Sequence, residues 1–97
     1  MKAFTPASPT VVVSATTTSA EASGTISADP PTLELNNAGL AVVFVRWGVG
    51  PQTALVTDYP VLPGHCKLVN VGSATHIAAI TAAGTTTLYC TPGAGDI

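Results

Sequence analysis

The sequence predicts an all-β protein, a small antiparallel β-sandwich or jelly-roll-like domain with an extended N-terminal arm. Short runs rich in β-branched residues follow one another from residue 32 onward, and turns containing glycine or proline separate them. No stretch is long and periodic enough for a helix. With 97 residues the chain can build only one hydrophobic core, so a single sandwich is expected, and a small barrel is the alternative.

Residues 1–31 differ in composition from the rest of the chain and are predicted to form the arm. They are rich in Ala, Ser, Thr and Pro, and residues 11–13 (VVV) are their only strong apolar cluster. The segment 11–18 has the β-branched content of a strand, whereas the prolines on both sides favour an edge strand or an extended segment laid on another subunit. A terminus without fixed structure is the alternative. The sandwich domain is predicted to span residues 32–97.

The first strands of the domain follow from alternation along the chain. Leu33 and Leu35 alternate with polar residues, which places the leucines inward. A turn is predicted at residues 36–39 (NNAG). The strand predicted next, over residues 40–47, is apolar on both faces, so it should lie in the middle of the protein or have one face against a neighbour. Two glycines and Pro51 end this strand.

The remaining strands are short and are separated by turn residues. A Pro-Gly turn at residues 63–64 and a Gly-Ser turn at 72–73 lie between apolar runs, and the Ala-Ala-Gly sequence at 82–84 closes the last hairpin. These turns predict strands over residues 54–57, 66–71, 76–81 and 85–91.

Charged residues are scarce, and their scarcity indicates the kind of partner. Charged side chains make up 8% of the sequence, whereas a typical soluble domain carries roughly 25%. Thr, Ser, Ala and Gly must therefore cover much of the surface, and these residues pack against a neighbouring protein without desolvating an ion. We expect the protein to work by packing against other protein surfaces, with contacts at Val11, Val12, Val13, Arg46 and Trp47.

The same composition argues against other classes of partner. Three basic and five acidic residues offer no patch that neutralises several phosphates, so nucleic acid and anionic membranes are not expected partners. No apolar run approaches the roughly 20 residues of a membrane span, and the N-terminus lacks the continuous apolar region of a signal peptide. The protein is therefore expected to be made in the cytosol.

The sequence contains no pattern typical of a catalytic, cofactor or metal site. His65, Cys66 and His76 lack the close-spaced pairs of a zinc site, and no serine lies in a nucleophile elbow. We therefore predict no enzymatic activity, metal, cofactor or small-molecule substrate. Cys66 and Cys90 each share a strand face with a leucine, which predicts two buried reduced thiols. The alternative is a disulfide that closes a loop of about 25 residues and contributes about 3 kcal/mol, although a reducing cytosol opposes it.

Arg46 and Trp47 are neighbours in the predicted central strand. Trp47 alternates into line with the valines of that strand, which indicates a core or subunit contact. A sugar-stacking platform with Tyr59 is the alternative, because aromatic side chains supply flat apolar surfaces in ligand sites. Arg46, the only arginine, is expected to pair with a carboxylate such as Asp58 across an interface.

Four segments carry a resemblance to a known group of proteins: residues 44–48 (FVRWG), 58–64 (DYPVLPG), 74–80 (ATHIAAI) and 87–93 (TLYCTPG). Together with the opening sequence MKAFTP, they resemble small structural proteins of tailed bacteriophages, and most of all the capsid decoration, or cement, proteins. The similarity covers nearly the whole chain, and its signature is a packing pattern without a catalytic motif.

The resemblance implies a non-enzymatic virion structural protein, made in the cytoplasm of the host bacterium and located on the outer surface of the capsid. It implies the major capsid protein as the partner, whose subunits are bridged so that the shell is stabilised, and a homo-oligomer, with a trimer favoured. Residues 1–31 are expected to carry much of the capsid contact. The alternatives are another virion component, namely a head-fibre base, head-tail connector or tail subunit, and a glycan-binding β-sandwich module.

Overall fold

A computed structural model of the chain describes residues 5–6, 10–23 and 32–94. These residues contain strands and no helix. The strands are β1 (Thr5–Pro6), β2 (Val11–Ala15), β3 (Ala20–Ser23), β4 (Thr32–Asn37), β5 (Val43–Gly48), β6 (Tyr59–Val61), β7 (Cys66–Asn70), β8 (His76–Thr81) and β9 (Thr86–Ala94).

The strands form two antiparallel sheets with a nested order of pairing. In the first sheet β1 and β2 both pair with β9, which is followed by β4 and β7, and the second sheet has the order β3-β8-β5-β6. From β2 onward the first strand pairs with the last, the second with the last but one, and so inward to β5 and β6. A long hairpin that is wrapped into two sheets has this order, which is that of a jelly roll. The predicted all-β sandwich is confirmed.

The core lies between the two sheets and follows the predicted alternation. Leu33 and Leu35 of β4 are fully buried, and so is Val43 of β5, whereas their neighbours Glu34 and Phe44 are only half-buried. Because side chains alternate across a strand, one face of each sheet supplies the core. The other core residues include Val13, Ala15, Val45, Val61, Val71, Ala74, Ile77, Ala79, Leu88 and Cys90.

Two elements differ from the prediction because side chains hold the backbone in loops. Residues 54–57 form a turn rather than a strand, since the Asp58 carboxylate accepts a hydrogen bond from the Leu55 N–H at 2.7 Å and the Asp58 N–H donates to the Leu55 carbonyl at 2.9 Å. The central strand begins at Val43 rather than at residue 40. The preceding residues, 38–42, form a loop that a buried side chain fixes, as described below.

The first sheet already contains β1 and β2 rather than beginning at residue 32, so the predicted division into an arm and a domain differs from the structure. β2 forms one edge of the first sheet and β3 one edge of the second. Val13 and Ala15 of β2 are buried in the core. The composition of this segment, which is low in large apolar residues, does not indicate a core strand. Two core-facing side chains are nevertheless enough to anchor a short edge strand. Residues 1–4, 7–9 and 24–31 of the predicted arm lie outside the described residues.

Candidate protein-contact site

The strand directions bring four loops to the same end of the sandwich. These loops are residues 16–19 (TTTS), 38–42 (AGLAV), 62–65 (LPGH) and 82–85 (AAGT). Three backbone hydrogen bonds join the first three of these loops to neighbouring strands: Thr81 donates to Thr16, Gly64 to Asn37 and Ala38 to Thr87, with N···O distances of 2.8 to 3.0 Å. In the fourth loop the Gly84 carbonyl accepts from the Thr81 hydroxyl at 2.6 Å. None of the four loops contains Asp, Glu, Lys or Arg. We call these four loops the uncharged loop end.

The side chain of Asn37 is the centre of this end. It is fully buried at the end of β4. Its Nδ2 donates hydrogen bonds to the carbonyls of Ala41 at 2.8 Å and Val61 at 2.9 Å. Its Oδ1 accepts from the Gly39 N–H at 3.2 Å and from the Thr86 hydroxyl at 2.5 Å. All four hydrogen-bonding positions of the amide are therefore used, which fixes the loop 38–42 against β6 and β9.

The backbone of Asn37 forms hydrogen bonds with a second loop of this end, residues 62–65. The Asn37 N–H donates to the carbonyl of His65 at 3.1 Å, and the Asn37 carbonyl accepts from the N–H of Gly64 at 2.9 Å. One residue therefore connects the loop 62–65 with the loop 38–42.

Gly39 is required where the loop 38–42 crosses Thr86. A Cβ atom at residue 39 would lie 1.9 Å from the Thr86 Oγ1 and 2.8 Å from the Thr86 Cα. Both distances are below what non-bonded atoms allow, and the second one involves backbone, so a larger residue would push the loop away from β9. Glycine is thus needed for the close approach that lets Asn37 bind both Gly39 and Thr86.

Leu40 is displayed at the tip of this fixed loop and is 96% exposed. On one side it borders an open apolar groove formed with Val42, Phe44 and residues 82–85. On the other side it borders a shallow groove of small and hydroxyl residues, from residues 14–16 and 85–87. No residue lining either groove is charged. A leucine exposed to water between uncharged grooves is suited to insertion into a partner protein, because hydrogen bonds at Gly39 and Ala41 already order the backbone on both sides of it.

The residues predicted from the sequence as protein contacts are spread over the molecule. Val12 is 52% exposed on the outer face of the first sheet, Val11 is half-buried, and Val13 is occupied in the protein's own core. Arg46 and Trp47 lie on β5, on opposite faces of the second sheet. The structure therefore does not bring these five residues into one site.

Arg46 forms its ion pair within the chain rather than across an interface. Its Nη2 and Nε lie 3.0 Å and 3.2 Å from the Asp58 Oδ1. The other carboxylate oxygen accepts from Leu55, so Asp58 also holds the turn before β6. Asp58 is thus confirmed as the partner of Arg46, whereas the expectation of an intermolecular pair is wrong, because β5 and β6 are neighbours and place the two residues side by side.

Trp47 packs partly against the core and meets Tyr59 edge-on. Their ring centroids are 6.0 Å apart and the ring planes are inclined by 73°. Tyr59 is 40% exposed, as a sugar-binding site would require. The inclined rings offer no shared flat surface, however, and a sugar ring stacks on a flat one.

The two cysteines lie on opposite faces of the first sheet. Cys90 pairs with Leu35 and is buried, whereas Cys66 pairs with Asn36 and is exposed. The prediction of two buried thiols is wrong for Cys66, because consecutive residues of β4 point to opposite faces and each cysteine shares the face of its pairing partner. Both thiols are free, and side chains pointing to opposite faces exclude the alternative of a disulfide between them.

We expect iodoacetamide to modify Cys66 but not Cys90 in the folded protein. Burial and the Glu34 carboxylate raise the pKa of the Cys66 thiol, so its reaction is slow near neutral pH and faster in alkaline buffer. Burial raises the pKa of Cys90 to about 12, which keeps it protonated as well as covered. Mass spectrometry should find one modified thiol per native chain and two after unfolding in urea. Two modified thiols in the native protein would contradict this assignment.

The described residues contain no group of three or more His, Cys, Asp or Glu side chains arranged to hold a metal ion. Within the same residues no helix is long and apolar enough to cross a membrane. Comparison with protein-family models, with curated proteins and with solved structures found no match for this chain.

Proposed function

We propose that this chain is a non-enzymatic virion structural protein of a tailed bacteriophage, which binds the outside of the capsid and stabilises the shell by bridging subunits of the major capsid protein. The phage setting is supported by the sequence resemblance of residues 44–48, 58–64, 74–80 and 87–93. The mode of action is supported by one structural observation, the uncharged loop end that presents Leu40 on a fixed loop.

The uncharged loop end supports a packing role because of what it offers a partner. It has no charge to recognise an ionic ligand, and the grooves beside Leu40 are open rather than enclosed like those of small-molecule sites. Its apolar and hydroxyl side chains lose little on leaving water when they meet a surface of the same kind. Such a surface suits a protein partner that is already assembled and offers a shaped, weakly charged groove.

Binding of this kind stabilises a shell without any chemistry. A protein that binds the assembled lattice and not the free subunits shifts the equilibrium toward the lattice, by about 2.7 kcal/mol per site when its free concentration is a hundredfold above Kd. Many such sites, each bridging two capsid subunits, would raise the temperature at which the shell opens.

The proposal is tested by mixing the purified protein with purified shells and with unassembled capsid subunits. We expect saturable co-sedimentation with the shells alone, a copy number comparable with that of the major capsid protein, and a higher melting temperature of the decorated shell. Failure to bind shells would overturn the proposal. A copy number confined to one vertex would identify a connector, tail or fibre-base subunit instead.

A further inference from the structure

The edges of the two sheets are not equally protected against pairing with another strand. On β7, Lys67 pairs with the buried Leu35 on the core-facing side, and an inward-pointing charge opposes strand addition. On β6, which has three residues, Pro60 lacks the N–H that a ladder needs. On β3, Glu21 places an exposed charge at the edge.

The edge formed by β2 carries none of these devices. Its sequence is VVVSA, with neither a charge nor a proline over its five residues. Among the described residues it pairs only with β9, so alternate N–H and C=O groups of β2 point away from the sheet. Val12 and Ser14 are exposed on the outer face of this edge. The backbone N–H and C=O groups of another extended strand can form hydrogen bonds with such an edge.

We infer that β2 pairs antiparallel with β2 of a second copy, about a two-fold axis centred on Val13. With this register Val11 lies opposite the partner's Ala15 on the core-facing side, and Ala15 lies opposite the partner's Val11. On the outer face, Val12 lies opposite the partner's Ser14. The two first sheets then become one continuous sheet, which satisfies the outward backbone groups of both edges.

Two features favour a second copy of this chain as the partner of the β2 edge: the absence of charge in β2, and a symmetric pairing that ends at a dimer. A two-fold axis places two copies of the same strand side by side, so a net charge on β2 would be repelled by the same net charge on its partner, and β2 has no charge. Head-to-tail addition would need a second receptive edge, but β3, β6 and β7 each carry a protecting residue. Pairing of β2 with itself uses both receptive edges and therefore closes as a dimer instead of growing into a filament. This dimer replaces the trimer favoured from the sequence resemblance.

The test compares the wild type with three double variants of the full chain by light scattering and sedimentation. The wild type is expected to be a dimer. In V12K/S14K the introduced lysines face one another across the axis, so the variant should be a monomer. In V12K/S14E each lysine faces a glutamate, so the dimer should persist with a Kd about 30-fold lower than that of V12K/S14K. V49K/V56K, which adds the same charge at exposed positions far from β2, should remain a dimer.

The measured oligomeric states can also overturn the inferred β2 pairing. A wild type that is monomeric or trimeric overturns it, and so does equal dissociation of V12K/S14K and V12K/S14E, because charge pairing would then not follow the register. If the wild type is monomeric while the single variant V12K, at a residue that lines neither groove beside Leu40, loses binding to shells, the β2 edge accepts a strand of the capsid protein instead. Oligomeric state is measured without shells, so failure of the proposed capsid role leaves this result unaffected.

Discussion

Replacing Asn37 by alanine is expected to lower the free energy of unfolding by about 4 kcal/mol, because the partners of a buried amide lose their hydrogen bonds. The Val61 carbonyl and the Thr86 hydroxyl are the partners reached by buried hydrogen bonds. Water cannot readily replace the amide there, and each costs about 1–3 kcal/mol when left unsatisfied. The Gly39 N–H and the Ala41 carbonyl are only partly buried, so water can solvate them at a smaller cost.

Urea denaturation measures this loss, and Asn70→Ala is the matched control. Asn70 is exposed, and its Oδ1 accepts one hydrogen bond, from the Gly72 N–H at 2.9 Å in a surface turn. Its replacement should cost less than about 1 kcal/mol, because Asn70 and Gly72 both lie exposed in a surface turn. If the two substitutions cost the same within error, Asn37 would not be the centre of the uncharged loop end.

The parts of the fold that follow local alternation could be predicted from the sequence. Leu33 and Leu35 face the core because polar residues separate them, and β8 has the predicted bounds of 76–81 because turn residues flank an apolar run. Period-two alternation specifies which side chains share a face, and a buried face in the middle of the chain makes the choice of side unambiguous.

The parts that depend on distant pairing could not be predicted. The alternation around Cys66 predicts that it lies on the same face of its strand as Leu68. Only its pairing with Asn36 shows that this face is the outer face of the sheet. In the same way, the role of β2 depends on β9, which lies at the other end of the chain. Nothing local to residues 11–15 indicates that partner, so their Ala-, Ser- and Thr-rich surroundings suggested an arm.

The candidate site was missed for a related reason. The sequence NNAG at residues 36–39 predicts a turn, but Asn36 and Asn37 are the last residues of β4 and only residues 38 and 39 lie in the loop. Turn propensity does not reveal that the amide of Asn37 reaches Val61 and Thr86, which are 24 and 49 residues away. Without those bonds, Leu40 belongs to an apolar run and is naturally assigned to a strand. With them, the loop is fixed and the leucine is exposed.

Replacing Leu40 by aspartate is expected to weaken binding to capsid shells by about 100-fold or more while leaving the fold intact. Burying a leucine side chain contributes about 1.5–3 kcal/mol, and a carboxylate placed in the same contact adds the cost of desolvating a charge, so a loss of 3 kcal/mol or more follows. Because Leu40 is 96% exposed in the isolated chain, its substitution should change the free energy of unfolding by no more than about 0.5 kcal/mol.

Co-sedimentation at several protein concentrations gives the change in Kd, and Val49→Asp is the matched control. Val49 is 71% exposed after β5, at the end of the sandwich opposite to the uncharged loop end, and it lines neither of the two grooves beside Leu40. Its substitution adds the same charge and should leave binding unchanged, whereas Leu40→Met, which keeps an apolar side chain of similar size, should retain most of the affinity. Equal weakening by the two aspartates would mean that net charge governs binding. Full affinity of Leu40→Asp would place the contact surface elsewhere on the molecule.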